Sequence, residues 1–403
     1  MGHFIVIGAG QAGASLVAKL RKDGFDGDIT LIGAEDALPY QRPPLSKAYL
    51  LGEMEKERLY LRPESFYAEN NISLRLGETV TAIDPTAKTV TCGTEVLTYD
   101  QLALTTGSHP RHLPAAIGGD LDGVHVVRGL ADVDAMAPEV TSGKRALIVG
   151  GGYIGLEAAA VCAKRGVSVV LVEMADRILQ RVAAPETSNY FRALHGSHGV
   201  DLRESVGLDR LIAEAGRVTG AVLSDGSNLA VDFVVVGVGI SPATELAKAA
   251  GLSLENGIQT DAQGRTSDPA IWAAGDCASF PFQGQRIRLE SVPNAIDQAE
   301  VVAQNMLGAN KDYTAQPWFW SDQYDVKLQI AGLNTGYDRV VTRQGQGRQA
   351  SFWYFKDAQL LAVDAMNDPR AYMVGKRLID AGKTADPAVV ADPDADLKPL
   401  LKA

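Results

Sequence analysis

Two glycine fingerprints stand 142 residues apart in this chain, and both are framed in the same way. Gly8-Ala9-Gly10-Gln11-Ala12-Gly13 follows the apolar run Phe4-Ile5-Val6-Ile7, and Gly150-Gly151-Gly152-Tyr153-Ile154-Gly155 follows Ala146-Leu147-Ile148-Val149. An alanine-rich helical stretch comes after each. One G-x-G-x-x-G arises often by chance; two, both set between strand and helix, call for two bound dinucleotides. The first glycine permits the tight turn, the second lets backbone approach a pyrophosphate, and the third lets helix pack on strand. The helix N-terminus then aims its free N–H groups at the phosphates. Gly8, Gly10, Gln11, Ala12 and Gly13 are therefore candidates to hold one dinucleotide, and Gly150, Gly152, Tyr153, Ile154 and Gly155 the other. Two redox dinucleotides on one chain imply that electrons move between them.

The duplication extends beyond the glycines. A strand over 28–32 runs into Gly33-Ala34-Glu35, and a strand over 167–172 runs into Glu173. Each acid lies about 20 residues past its last glycine, where a ribose-binding carboxylate is expected. A carboxylate accepts hydrogen bonds from a ribose 2′-hydroxyl. Against a 2′-phosphate about 4 Å away it would cost on the order of 4 kcal/mol per charge at an effective dielectric of about 20, more than neighbouring Arg177 offsets. Glu173 thus predicts NADH rather than NADPH in the second site.

Leu102-Ala103-Leu104-Thr105-Thr106-Gly107 reads as a buried strand ending in a turn, with Pro110 and Pro114 breaking the chain beyond it. Its counterpart runs from Phe233 to Gly239, ahead of Ile240-Ser241-Pro242. These two crossings predict an α/β fold with two Rossmann-like dinucleotide-binding domains, the second (109–235) inserted in a discontinuous first (1–108 and 236–315). A small C-terminal α+β domain follows at 316–403. It opens on aromatic clusters, then shows strand-like runs at 339–342, 351–355 and 360–363 and a helix over 370–380. The tail from Thr384, rich in Asp, Ala and Pro, is expected to be partly ordered at best.

Several classes of function are excluded. A net charge of −11 argues against nucleic acid as a partner. No apolar run approaches a membrane span, and a strand begins directly after Met1-Gly2-His3, leaving no room for a leader; the expected compartment is the cytoplasm. Cys92, Cys162 and Cys277 form no C-x-x-C or C-x-x-x-x-C pair, so a local redox disulfide is excluded, and no metal-ligand spacing occurs. Cys277 reads as a small buried thiol.

Two further stretches bear on the first dinucleotide. Pro39-Tyr40-Gln41-Arg42-Pro43-Pro44-Leu45-Ser46-Lys47 is stiffened by its prolines and brings two cations toward the expected pyrophosphate. Ile271-Trp272-Ala273-Ala274-Gly275-Asp276 is a short strand ending in Gly-Asp, ahead of a helix over 294–306. Asp276 either caps that loop or contacts a cofactor, and the cofactor role is favoured.

The first 315 residues resemble the glutathione-reductase-like flavoproteins, with FAD in the first dinucleotide domain and NAD(P)H in the second. Within that superfamily, Pro39 to Lys47, Gly150 to Glu157, Glu290-Ser291-Val292-Pro293-Asn294-Ala295 and Trp318-Phe319-Trp320-Ser321-Asp322-Gln323-Tyr324 resemble the NADH-dependent ferredoxin reductases of bacterial oxygenase systems. The resemblance implies FAD contacts at Gly8, Gly10, Gly13, Glu35, Arg42, Lys47, Val80, Arg128, Asp276 and Val292. It implies NADH contacts at Gly150, Gly152, Gly155, Glu173 and Gly239, with Ile154 in the nicotinamide channel. Lys47 and Glu157 would form the catalytic pair beside the flavin's reactive edge. Trp320 either covers the flavin edge or belongs to the core. The acid after the second strand departs slightly from the pattern, with Ala34 at one of two adjacent loop positions and Glu35 at the other.

The implied activity passes a hydride from NADH to FAD, and single electrons from FAD to a [2Fe–2S] ferredoxin that feeds a cytochrome P450-type mono-oxygenase. The implied enzyme is a monomer that binds neither metal nor membrane. Other acceptors, a rubredoxin or the ferredoxin of a Rieske dioxygenase, are alternatives. So is a redox sensor or scaffold resembling apoptosis-inducing factor, although targeting segments and a basic surface are missing from the sequence. Lys327, Arg339, Arg343, Arg348, Lys376 and Arg377 are candidates for a face that docks an acidic ferredoxin.

Overall fold

The computed structural model describes residues 2–402, which divide into two compact units. The first gathers the chain up to Gln41, Lys56–His109 and Ile240–Pro317. The second gathers Arg42–Glu55, Pro110–Gly239 and the chain from Trp318 onward.

In the first unit, five parallel strands lie in the order Ile271–Ala273, Gln101–Leu104, His3–Ile7, Asp28–Gly33, Ile72–Leu76. The central strand is an unbroken apolar run because both of its faces are covered. Phe4 and Val6 share a core with Leu16 and Leu20 of the helix Gln11–Lys22 and with Val302 of the helix Val292–Met306. Ile5 and Ile7 point the other way, toward Val80, Val90 and Cys92 of a three-stranded antiparallel sheet.

The second unit repeats the plan. Its parallel strands run Val124–His125, Phe233–Val236, Arg145–Val149, Ser168–Glu173, Asp201–Glu204. Leu147 and Val149 pack on one face against Leu211, Val218 and Leu223 of a second antiparallel sheet. A further sheet of five antiparallel strands belongs to the same unit, in the order Trp318–Gln323, Val326–Gly332, Gln359–Met366, Ala350–Lys356, Arg339–Gln344. The helix Pro369–Asp380 lays Ala371, Val374 and Leu378 into its core with Trp353 and Val363. Three of these strands are the runs legible in the sequence; Trp318–Gln323 and Val326–Gly332 are additions by the structure.

The tail departs from expectation, because it is ordered. Arg343 is buried and donates to the backbone carbonyls of Val390, Asp392, Pro393 and Ala395. Val390 and Leu397 are buried in the C-terminal core. One guanidinium fork satisfies four carbonyls of the tail while its apolar residues join the C-terminal core.

Asp364 lies at the heart of the second unit. It accepts hydrogen bonds from Thr187 Oγ1 at 2.6 Å and from the Tyr354 hydroxyl, which in turn accepts the Ala184 N–H at 3.0 Å. Burial pushes its carboxyl up to about 6, although both hydroxyls favour the anion. The folded state therefore holds this proton more tightly than the unfolded chain does, so its stabilising effect is full at low pH and fades as pH rises through 6. Denaturant unfolding at a series of pH values should show wild type losing about 3 kcal/mol relative to Asp364→Asn between about pH 4 and pH 7. A pH-independent difference would contradict the burial argument.

Candidate functional site

The two fingerprints have one geometry. Gly8 and Gly150 take φ of +111° and +106°, a left-handed conformation open to glycine. A Cβ on Gly150 would stand 2.5 Å from the Gly237 carbonyl oxygen, and one on Gly8 would strike the Thr105 carbonyl. Gly13 and Gly155 sit where helix meets strand, and a Cβ on either would run into the carbonyl oxygen of Gly8 or Gly150. The middle glycines differ. Gly10 and Gly152 have ordinary extended backbone, with φ of −93° and −80°, and a Cβ there would meet nothing within 4 Å. Nothing in the protein itself requires glycine at these two positions, whereas a phosphate pressed against the backbone does.

Both helices that follow are prepared for an anion. Gln11–Lys22 and Tyr153–Lys164 begin at glycine N-caps with no side-chain cap and no acid in the first turn, so their leading N–H groups remain available to a ligand. Gln11 and Ala12 occupy that first turn in one unit, and Tyr153 and Ile154 in the other. Ile154 is 41% exposed on the helix, in keeping with a ligand-facing role. Tyr153 turns its ring onto Phe319, centroids 4.9 Å apart, and its hydroxyl is buried, which leaves its backbone for ligand contact. Thr105, missed in the sequence, locks the first turn by donating to the Gly8 carbonyl at 2.8 Å.

The two acids are held differently. Glu173 accepts the Gly151 N–H at 2.7 Å and the Ala175 N–H at 2.8 Å, one on each oxygen, so the carboxylate abuts the fingerprint loop with lone pairs to spare. Arg177 is committed elsewhere, to Ser188 Oγ at 2.7 Å. Gly239, at φ +102°, follows the strand beside the fingerprint and lies near the Arg181 guanidinium. Glu35 is exposed and receives the Tyr40 hydroxyl at 2.5 Å. The backbone carbonyls of Glu35 and Gly33 accept N–H groups from Gly77 and Glu78, which brings the segment ahead of Val80 alongside that acid.

Three predicted segments of the first unit converge. A Cβ on Gly275 would lie 3.1 Å from the Ala12 Cβ and 3.8 Å from that of Ala295, so the fingerprint helix, the Gly-Asp turn and the helix beginning at Val292 meet there. Asp276, next in the chain, accepts Ser108 Oγ at 3.0 Å. In the second unit, Arg42 donates to the backbone carbonyl of Arg128 at 2.7 Å.

Lys47 and Glu157 form an ion pair at 2.8 Å, with Glu157 buried on the second fingerprint helix. Ser46 Oγ donates to the same carboxylate at 2.6 Å and Ser321 Oγ to its other oxygen at 2.7 Å. The sequence singled out the two charges but neither serine. A buried carboxylate needs such partners, since removing one side of a buried ion pair costs about 3–5 kcal/mol. Strand alternation brings Ser321 here: Phe319, Ser321 and Gln323 face one way and Trp318 and Trp320 the other. The two tryptophans stack at 5.6 Å, and Trp318 also lies against Tyr372, while Trp320 is half-buried.

Of the six candidate docking cations, Lys327, Arg339 and Arg377 are exposed and the other three are committed within the protein. Arg343 is sunk into the tail, Arg348 pairs with Asp325, and Lys376 pairs with Asp380. The three cysteines are buried and unpaired, and burial pushes the Cys162 thiol up to about 12 and raises Cys92 and Cys277 as well. Burial thus disfavours the thiolate at all three. Among the described residues no helix is long and apolar enough to cross a membrane, and no cluster of His, Cys, Asp or Glu forms a metal site.

Comparison with known proteins identifies the family. Residues 2–299 match the pyridine nucleotide-disulphide oxidoreductase family, and residues 318–401 match the reductase C-terminal family. The chain is 44% identical over 401 residues to a ferredoxin–NAD(P)+ reductase of a Sphingomonas species, covering 98% of this chain and 96% of that one. Its structure superposes on putidaredoxin reductase in covalent complex with putidaredoxin with a TM-score of 0.96 at 38% identity, over 100% and 98% of the two chains. It superposes on the ferredoxin reductase for the CYP199A2 system of Rhodopseudomonas palustris with a TM-score of 0.95 at 39% identity, over 99% of each. The chain belongs to the pyridine nucleotide-disulphide oxidoreductase family and, within it, to the FAD- and NAD(P)H-dependent ferredoxin reductases.

Proposed function

We propose that this enzyme oxidises NADH and reduces a [2Fe–2S] ferredoxin that feeds a cytochrome P450-type mono-oxygenase. Bound FAD supplies the essential chemistry, accepting electrons as a hydride pair and releasing them singly. The observation that carries the reading is the pair of middle glycines, Gly10 and Gly152, each set against open space at a bare helix N-terminus. On this reading, residues 1–108 with 236–315 form the FAD domain, 109–235 the NADH domain, and 316–403 a C-terminal domain.

Gly8, Gly10 and Gly13 hold the FAD pyrophosphate with the N–H groups of Gln11 and Ala12. Glu35 binds the ribose, Val80 meets the adenine side through its backbone, and Asp276 takes the ribityl chain. The resemblance also assigns Arg42, Arg128, Val292 and Trp320 to FAD. Gly150, Gly152 and Gly155, with Tyr153, Ile154 and Gly239, hold NADH, and Glu173 binds its adenosine ribose. Lys47 and Glu157 are the catalytic pair, a fixed charge couple that orders the nicotinamide. Three buried, unpaired thiols suit a reducing compartment, which supports the cytoplasm.

The steric contrast within one fingerprint gives a direct test of cofactor binding. Gly152→Ala should cost no more than about 1 kcal/mol of folding stability, the loss of a glycine N-cap, yet weaken NADH binding at least about tenfold in titration. Gly155→Ala should instead destabilise the fold by about 1–3 kcal/mol, since its Cβ meets backbone.

Cofactor choice is tested by anaerobic stopped-flow mixing. NADH should bleach the flavin band at least about a hundredfold faster than NADPH at equal concentration, and Glu173→Ala should narrow that ratio. Equal rates in the wild type would overturn the assignment of Glu173. Ferredoxin-dependent cytochrome c reduction with NADH then tests the acceptor.

A further inference from the structure

The Lys47–Glu157 pair is the inner end of a longer chain of hydrogen bonds. Ser321 Oγ donates to Glu157 Oε1 at 2.7 Å, and Gln323 Nε2 donates to Ser321 Oγ at 3.2 Å. Gln323 Oε1 meets His195 Nε2 at 2.8 Å, and His195 Nδ1 meets the Tyr324 hydroxyl at 3.2 Å. Tyr324 is half-buried and stacks on exposed His198 with ring centroids 3.7 Å apart. Between the ends, Ser321, Gln323 and His195 have no solvent exposure. The chain thus runs from the surface of the second unit to its one buried carboxylate on the fingerprint helix.

Chemistry fixes the direction of every bond. An ionised carboxylate only accepts, so Ser321 must donate its single proton to Glu157. Ser321 Oγ then accepts from the next group, which requires the NH2 end of Gln323 rather than its carbonyl. The Gln323 carbonyl is left to accept, so His195 carries its proton on Nε2, and its bare Nδ1 accepts the Tyr324 hydroxyl. Burial lowers His195 to about 4, which keeps the ring neutral and this pattern intact at working pH. All four donors point toward Glu157.

A conduit for protons would need every member to take up one proton and release another. The Gln323 amide does not do this without an unfavourable tautomer, so conduction is ruled out and orientation remains. We propose that Ser321 and Gln323 are positioning residues, through which the C-terminal strand Trp318–Gln323 fixes the Glu157 carboxylate and hence the Lys47 ammonium for flavin reduction. The proposal rests on the reading of Lys47 and Glu157 as the catalytic pair. Ser46 holds the other carboxylate oxygen from the Lys47 side, so loss of Ser321 frees one oxygen and leaves the ion pair with a second rotamer to explore.

The test uses FAD-loaded enzyme and NADH, with the variants Ser321→Ala, Ser321→Thr and Glu157→Gln, and 15N-histidine NMR for the ring. Ser321→Ala should slow the limiting rate of flavin reduction about tenfold with NADH affinity unchanged, as expected when one hydrogen bond to a charged group is lost. Ser321→Thr, which keeps the hydroxyl, should stay near wild type. His195 should show the Nε2–H tautomer in the wild type, with its resonance shifted in Ser321→Ala, a signature that loss of packing alone would not produce. Slow reduction in Glu157→Gln but wild-type rates in Ser321→Ala would overturn the positioning role and leave the proposed function standing. Wild-type rates in both would overturn the catalytic pair itself, and this proposal with it. Equal slowing in the alanine and threonine variants would assign Ser321 to packing and also overturn it.

Discussion

In each unit a helix N-terminus is pressed against the end of a central strand so closely that no side-chain carbon fits between them, and the remaining architecture is arranged around that contact. Gly13 lies over the Gly8 carbonyl and Gly155 over the Gly150 carbonyl. Because the backbones touch, the first turn of each helix projects beyond the sheet with its N–H groups unpaired, which a phosphate can satisfy. The neighbouring strand ends at the same level, so its terminal acid arrives beside the loop. In the second unit that acid is bonded to the loop itself, Glu173 to Gly151. On the proposed reading, pyrophosphate and ribose are addressed by one corner in which helix, strand and acid meet.

The helix of the second fingerprint carries Glu157 in its second turn, buried by the strand Trp318–Gln323. A buried anion is tolerated only when its hydrogen-bonding capacity is met, and here two serines and a lysine meet it. Those partners come from two stretches of chain, Ser46-Lys47 and the strand bearing Ser321, both separate from the helix that carries Glu157. The requirement to satisfy one carboxylate thus ties the loop at 42–55, the nucleotide-binding helix and the C-terminal sheet into a single unit.

Much of this was legible in the sequence, for identifiable reasons. The fingerprints, the strands ending in Glu35 and Glu173, and the helix after the second fingerprint are set by local pattern, so their residues announce them. Lys47 and Glu157 came from resemblance, and no spacing rule pairs residues 110 positions apart. Ser46, Ser321, Gln323 and His195 stayed hidden because hydroxyls and amides serve equally well on a surface, and only burial makes them specific. The ordered tail was hidden for a related reason: beside its few core residues, one arginine reaching four carbonyls holds it, a contact between side chain and backbone that leaves no mark on composition.

The family is named for disulphide chemistry, yet this chain has removed the means for it. Each of its cysteines is buried, and burial raises each thiol away from the reactive thiolate. The loop from Tyr40 to Lys47 contains no cysteine at all. On the proposed reading, a fixed charge pair, which takes no electrons, stands where a dithiol would take two. A flavin in such a setting has no covalent partner to which it can pass two electrons together, so its electrons leave to an external carrier. A [2Fe–2S] ferredoxin, which takes them one at a time, is the carrier that suits this arrangement.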